Sequence, residues 1–305
     1  MIRFLLILFA SMPLSAAQGL AEACDRSDLS SARHAVEIRD FESALARYRE
    51  ASRACPNDQA VQLELANAYF MAQRLRDAQN LSTEILRRDP ANAPALEIKG
   101  NTEFLLGDTR SSINTFIDLL DKHPANQEAP YMLGRIYYTA GLVDQAVGQF
   151  QRLLRLNPQS YRAYDGLGLC YEAKSDYAQA QRCFLAAIKL TEHDHPSYDT
   201  AYADLAELLL RTGENEKAFG AASKAADRNP SSARNFYLGG KALDLLSKTD
   251  LACNWLERAA ALSPNYPEPQ YLLARIYRRL GKNDQATLAE RRFLQAKSKS
   301  QKSNQ

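Results

Sequence analysis

Apolar and small residues recur three and four positions apart along almost the whole chain, and the stripes they draw come in pairs. Between Gln127 and Ser160 one stripe runs through Pro130, Leu133, Gly134, Tyr137 and Gly141, and a second through Ala146, Phe150, Leu153 and Leu156. Such spacing sets each group along one side of an α-helix. Gly141 can take the left-handed backbone that closes a first helix. Asn157-Pro158 ends a second, because proline lacks the amide hydrogen that the helical ladder needs. The segment therefore predicts two antiparallel helices and a tight turn.

The hairpin is copied along the chain. Prolines stand at Pro56, Pro90, Pro124, Pro158, Pro196, Pro230 and Pro264, with steps of 34, 34, 34, 38, 34 and 34 residues. A fixed period of that length marks one unit that cannot bury its apolar stripe alone and stacks on its neighbours. Four extra residues in the long step, within Thr191-Glu192-His193-Asp194-His195, predict a longer turn on one edge. Small residues also keep step. Gly134, Gly168 and Gly240 share a place on the first helices with Ala66, Ala206 and Ala274, and Ala44, Ala78, Ala146, Ala180, Ala218, Ala252 and Ala286 share one on the second. The expectation is close approach of the paired backbones with no side chain between them.

These positions resemble a known pattern. Leu133, Gly134, Tyr137, Ala146, Phe150 and Pro158, then Tyr164, Leu167, Gly168, Tyr171, Ala180, Phe184 and Ala187, match the tetratricopeptide repeat (TPR), W-x-x-L-G-x-x-Y followed by A-x-x-x-F, A and P. The resemblance covers nearly the whole chain after its first residues. It implies an all-α fold, a right-handed α-solenoid of about seven to eight helix-turn-helix units, filling residues 24–297 as one continuous array. The first repeat, with Asp28, Ser31, Ala32 and Ala35, and the last, with Glu290 at an aromatic position, depart from the pattern, as terminal repeats do when nothing stacks outside them.

The family also implies a binding surface, because first helices line the concave side of such arrays. Carried onto this chain, the groove comprises Asn67, Phe70, Asn101, Phe104, Tyr131, Arg135, Tyr138, Tyr237, Lys241, Tyr271 and Arg275, with Asp165, Glu172, Glu207 and Arg211 along the way. Amides repeated at Asn67 and Asn101 can bond the backbone of an extended peptide. Aromatic residues beside Arg135, Lys241 and Arg275 are the types that dominate interface energetics. The basic partners of a carboxylate clamp are missing beside both asparagines, so a free C-terminal carboxylate is not the expected ligand. Some of the tyrosines are expected to pack between repeats instead.

Composition adds location and excludes some functions. Arg3, the run Phe4-Leu5-Leu6-Ile7-Leu8-Phe9-Ala10, Pro13 and Ser15-Ala16-Ala17 read as a secretory signal peptide within residues 1–23, cleaved near 17 or 23. The apolar stretch falls short of the ~20 residues needed to cross a bilayer. The mature chain is thus expected to be exported, periplasmic or extracellular, with no transmembrane segment. Glu22 breaks the small-residue pattern that lipid anchoring at Cys24 would need. In an exported chain thiols tend to be oxidised. A hairpin brings Cys24 and Cys55 to the same end of the first unit, where they can bridge, and Cys170 and Cys183, flanking one turn, are a second possible pair; the alternative for Cys170, Cys183 and Cys253 is that they are small buried hydrophobes. The net charge of +2 is too small to argue for nucleic acid. From Arg275 onward nine basic residues face only Asp284 and Glu290, leaving −5 on the remainder. Residues 298–305 read as a disordered basic tail, chiefly a solvating cap that can also touch an anionic envelope surface.

Convergent catalytic chemistry is absent from the sequence. There is no phosphate loop, no Cys-x-x-Cys and no nucleophile elbow. His193 and His195 with Asp194, Glu192 and Asp199 match no structural zinc spacing and read as a solvated loop. No cofactor, no metal and no enzymatic activity are expected. The expected function is a scaffold binding protein or peptide partners on its concave face. The alternative is an assembly factor for carbohydrate or envelope polymer, with groove tyrosines stacking on sugars and the basic end meeting acidic polymer.

Overall fold

The computed structural model describes residues 26–303, and these form sixteen α-helices and no strand. Two compact units divide at Met132/Leu133, within one helix and with no linker sequence there. The first unit contains α1 (Arg26–Glu37), α2 (Phe41–Ala54), α3 (Gln59–Met71), α4 (Leu75–Arg88), α5 (Ala93–Leu105) and α6 (Thr109–Lys122). Helix α7 (Glu128–Thr139) carries the division. The second unit continues with α8 (Val143–Leu156), α9 (Tyr161–Ala173), α10 (Tyr177–Thr191), α11 (Thr200–Thr212) and α12 (Asn215–Arg228), then α13 (Ala233–Leu245), α14 (Thr249–Leu262), α15 (Pro267–Arg279) and α16 (Asn283–Ser303). Within each unit consecutive helices pack in chain order, and first helices also touch one another, α3 with α5, α9 with α11, α11 with α13 and α13 with α15, the contact pattern of an α-solenoid.

Local sequence sets the ends of these helices. Asp58, Asn92, Ser160 and Ser232 cap first helices by accepting from backbone amides two or three residues on, and Asp40, Asp108 and Asp176 do the same for second helices. Such caps satisfy donors that the helix leaves open. Every hairpin turn then contains one residue with positive φ, in step with the repeat: Arg39, Gln73, Gly107, Gly141, Ser175, Gly213, Ser247 and Gly281. Left-handed backbone at this position closes the last turn, as in Gly213, whose φ of 84° ends α11 with its amide bonded to Leu209 O.

The small-residue positions work differently from the expected backbone-on-backbone approach. At Gly100, Gly134 and Gly168 the space is filled by the ring of a second-helix phenylalanine: Phe116, Phe150 and Phe184 respectively. A Cβ placed on Gly134 would lie 2.7 Å from the Phe150 ring, and one on Gly100 would lie 2.8 Å from Phe116. Phe150 also lies against Gly166 of the following repeat, so one ring wedges between two first helices. All three phenylalanines are fully buried. Glycine is thus a socket for an aromatic knob, and the hydrophobic gain of burying a whole ring outweighs what bare backbone contact could supply.

Cys55 is disulfide-bonded, while Cys24 lies outside the described residues. The second bridge is not formed. Cys170 and Cys183 are both free, close enough to influence one another's charge, and burial pushes their thiols up to about 12 and about 11. Cys170 is wholly enclosed in the core, where it serves as a small apolar side chain. The tail expectation also changes, since α16 carries residues 298–303 as helix. Residues 1–23, expected to be a signal peptide, lie outside the described part. Among the described residues no helix is long and apolar enough to cross a membrane.

Candidate functional site

First helices α9, α11, α13 and α15 are linked by ion pairs that step along the second unit. Arg211 Nε on α11 stands 3.1 Å from Glu172 Oε1 on α9, a pairing without hydrogen-bond alignment. Arg234 on α13 donates from Nη2 to Asp204 Oδ1 at 2.6 Å and to Glu207 Oε2 at 2.7 Å, both on α11. Asp244 on α13 accepts from Arg275 at 2.9 Å and from Arg279 at 2.5 Å, both on α15. In each step an acid on one first helix takes a base from the next. Three of the carboxylates on this face are buried, with Asp204 3%, Asp165 6% and Asp244 7% exposed.

The four-residue insertion completes this face. Arg228 Nη1 donates to the carbonyls of Thr191, His195 and Tyr198 at 3.2–3.4 Å, and Tyr161 packs against the His195 and Tyr198 rings with centroids 4.6 and 4.7 Å away. Held in this way, Tyr198 donates its hydroxyl to Asp165 Oδ2 at 2.5 Å. Asp199 occupies the cap position of α11 with helical backbone angles and makes no cap bond. Its carboxylate accepts instead from Asn235 Nδ2 at 2.6 Å. The extra residues thus redirect a capping side chain into the acidic face, while Glu192, His193, Asp194 and His195 themselves stay exposed, as expected of a solvated loop.

Burial and the neighbouring Asp204 charge push Asp165 up to about 7 from 3.8, against the opposing pull of Tyr198 and Arg234. Asp204 is raised too, by burial first, and is opposed chiefly by Arg234. Arg234 bonds Asp204 directly, so the proton of the pair belongs on Asp165. Burial works against the Arg234 charge, but Asp204 and Glu207 outweigh it and hold the guanidinium protonated. Burial likewise raises Glu172 and the Tyr138 phenol, the latter with help from Glu172. Asp165 Oδ1 is buried and meets no hydrogen-bond partner.

A carboxyl raised in the folded state binds its proton more tightly there than in the unfolded chain. Its contribution is full below the unfolded value near 3.8 and is lost as pH climbs towards about 7. Urea unfolding of the native chain is therefore expected to show falling stability across that window from this group. Asp165→Asn should flatten the fall and be the more stable protein at pH 8. An unchanged pH profile in the variant would contradict the assignment.

Of the predicted groove positions Asp165 alone is buried. Asn67, Arg135, Tyr271 and Arg275 are exposed, while Phe70, Asn101, Phe104, Tyr131, Tyr138, Tyr237 and Lys241 are half-buried. Asn67, Phe70, Asn101, Phe104 and Tyr131 belong to the first unit, the rest to the second. Two tyrosines are engaged by neighbouring rings: Tyr237 meets Tyr266 edge-on at 5.4 Å, and Tyr271 tilts against Phe293 at 5.6 Å. Arg275 is held by Asp244. Asp204, Arg234, Asp244 and Tyr198 were not singled out from sequence. One signal was there: two repeat periods beyond Glu172 lies Asp244, in the slot that Tyr138 and Phe104 fill earlier. Asp165 likewise stands where Tyr131, Tyr237 and Tyr271 stand in other repeats. Among the described residues no group of three or more His, Cys, Asp or Glu is placed to hold a metal ion.

Comparison with known proteins agrees with this architecture. Three family models, each described as tetratricopeptide repeat, match residues 35–100, residues 99–161 and 131–180, and residues 159–231. No curated protein sequence gives a significant match. Among solved structures, a tetratricopeptide repeat protein from Parabacteroides merdae ATCC 43184 superposes with a TM-score of 0.64 at 23% identity, over 82% of this chain and 98% of that one. PilW, a widely conserved type IV pilus biogenesis factor, gives 0.62 at 20% identity over 71% and 99% of the two chains. Pseudomonas aeruginosa PilF gives 0.60 at 19% identity over 71% and 97%. The family models run without a gap from residue 35 to 231, and with the hairpin repeat seen across the described residues they establish that this chain belongs to the tetratricopeptide repeat family.

Proposed function

We propose that the protein is a non-catalytic scaffold of the periplasm or cell envelope that binds a protein or peptide partner along its first-helix face. The observation that carries this reading is the ladder from Glu172 to Arg279. Charged side chains are held in fixed positions on successive first helices, with Tyr237 and Lys241 half-exposed on α13. A face whose side chains are already ordered loses little entropy when a partner docks, and many small contacts then add along it. Ring contacts at Tyr237 and Tyr271 occupy part of the aromatic surface that sugar stacking would need, which favours a peptide over a glycan.

The disulfide at Cys55 supports an oxidising compartment, as does the signal-like pattern near the N-terminus. The likeness to PilW and PilF concerns the fold. The test is capture from envelope extracts, read by quantitative mass spectrometry, using the native chain and a variant with Tyr237, Lys241 and Arg275 replaced by serine. Loss of a specific protein from the variant is the expected result. Full retention of every captured protein would overturn the reading, and retained proteins with lost polymer would favour the glycan alternative.

A further inference from the structure

We propose that the acidic recess of the second unit, centred on Asp165 and bordered by Asp204, Glu207 and Glu172, receives the guanidinium of an arginine side chain carried by the peptide partner. This rests on the peptide-binding reading above and names the chemistry of that partner. Three observations converge. Asp165 is only 6% exposed, and its Oδ1 has no hydrogen-bond partner while Oδ2 is anchored by Tyr198. Asn235 Oδ1, on a side chain 1% exposed, is a second buried acceptor without a donor. Native proteins seldom leave such acceptors empty, because each forfeits the hydrogen bonds it made to water.

Charge is unbalanced in the same place. Five acidic side chains, Asp165, Glu172, Asp199, Asp204 and Glu207, gather here, with Arg211 paired to Glu172 and Arg234 to Asp204 and Glu207. Tyr138 is influenced by Glu172, Asp204 and Glu207 together, which gathers these acids around one spot. Above about pH 7, where Asp165 gives up its proton, the fitting partner is a donor and a cation. No three potential metal ligands are arranged to bind an ion among the described residues, so a side-chain cation fits better than a metal. Guanidinium fits better than ammonium because it is planar, carries several donors and is less strongly hydrated, so it can be buried beside carboxylates. The face already uses that chemistry four times, at Arg211, Arg234, Arg275 and Arg279. An open cleft of about 660 Å³, lined by Arg234, Tyr266, Glu268 and Lys299 among others, shares Arg234 with this acidic face.

The probe is an alanine-flanked arginine pentapeptide, acetylated and amidated, titrated into the full-length protein at pH 8. Its comparison is the same peptide with neutral citrulline in place of arginine. The arginine peptide should bind about tenfold or more tightly than the citrulline peptide, and Asp165→Asn should abolish that preference while keeping the helical melting transition. Glu207→Gln, at the half-exposed rim, should weaken binding by about threefold and serves if Asp165→Asn fails to fold. Equal binding of the two peptides, or a preference that survives Asp165→Asn, would overturn the proposal. Spermidine binding as tightly as the arginine peptide would overturn it in favour of a free polyamine. If the serine variant loses a captured protein while Asp165→Asn retains it and no arginine preference appears, the scaffold reading stands and this inference alone fails.

Discussion

Phe150→Ala is expected to destabilise the protein by about 3–5 kcal/mol, the cost of removing a large side chain from a core that cannot close around the gap. The ring is 1% exposed and lies over Gly134 on α7 and Gly166 on α9. Neither glycine has a side chain that could move into the void, so the cavity faces bare backbone on two sides. Phe150→Leu should cost less, because a branched aliphatic group still fills part of both sockets. In a stacked array stability is close to a sum of repeat and neighbour terms, so losing one wedge weakens two interfaces at once. Urea unfolding followed by circular dichroism tests this. An earlier transition is expected, broadened or split as repeats near α8 unfold first. A midpoint shift equivalent to less than about 1 kcal/mol would show that the ring is not the wedge described here.

The second large effect concerns charge. Arg234→Met is expected to cost about 3 kcal/mol at pH 8, the low end for breaking a buried pair, because the arginine side chain is itself 40% exposed and partly screened. Its removal leaves Asp204, with a side chain 4% exposed, beside Asp165 and Glu207 without its guanidinium. In the variant Asp204 should move further up, so the folded state binds more protons than the unfolded chain over a wider interval. Stability then falls more steeply as pH rises, and the deficit against the native chain should shrink at pH 5. Asp204→Asn in the same background should recover most of the loss, and a double-mutant cycle measures the coupling. A deficit that grows on acidification would contradict the assignment.

Much of the architecture could be read from sequence because it rests on local chemistry. The Pro56 to Pro264 period, the stripes of Leu133 and Phe150 and the capping residues Asp58, Asn92 and Ser160 each act within one helix or turn. What could not be read depends on which side chain crosses between helices. The pairing of Gly134 with Phe150 links residues sixteen apart, and small-residue spacing alone fits either backbone contact or a ring socket. Ion pairs such as Arg234 with Asp204 join residues 30 apart on different repeats. Repeat register points to Asp244 from Glu172, but nothing in the register predicts that the insertion swings Tyr198 onto Asp165. Cys170 and Cys183 flank one turn in sequence, yet flanking a turn does not set the direction of either thiol.

The most direct test of a partner-binding first-helix face is hydrogen–deuterium exchange on the captured complex, compared with the protein alone. Protection is expected on α9, α11 and α13, around Glu172, Glu207, Arg234 and Lys241, with the second helices α10, α12 and α14 unchanged. Protection confined to those second helices would contradict the account.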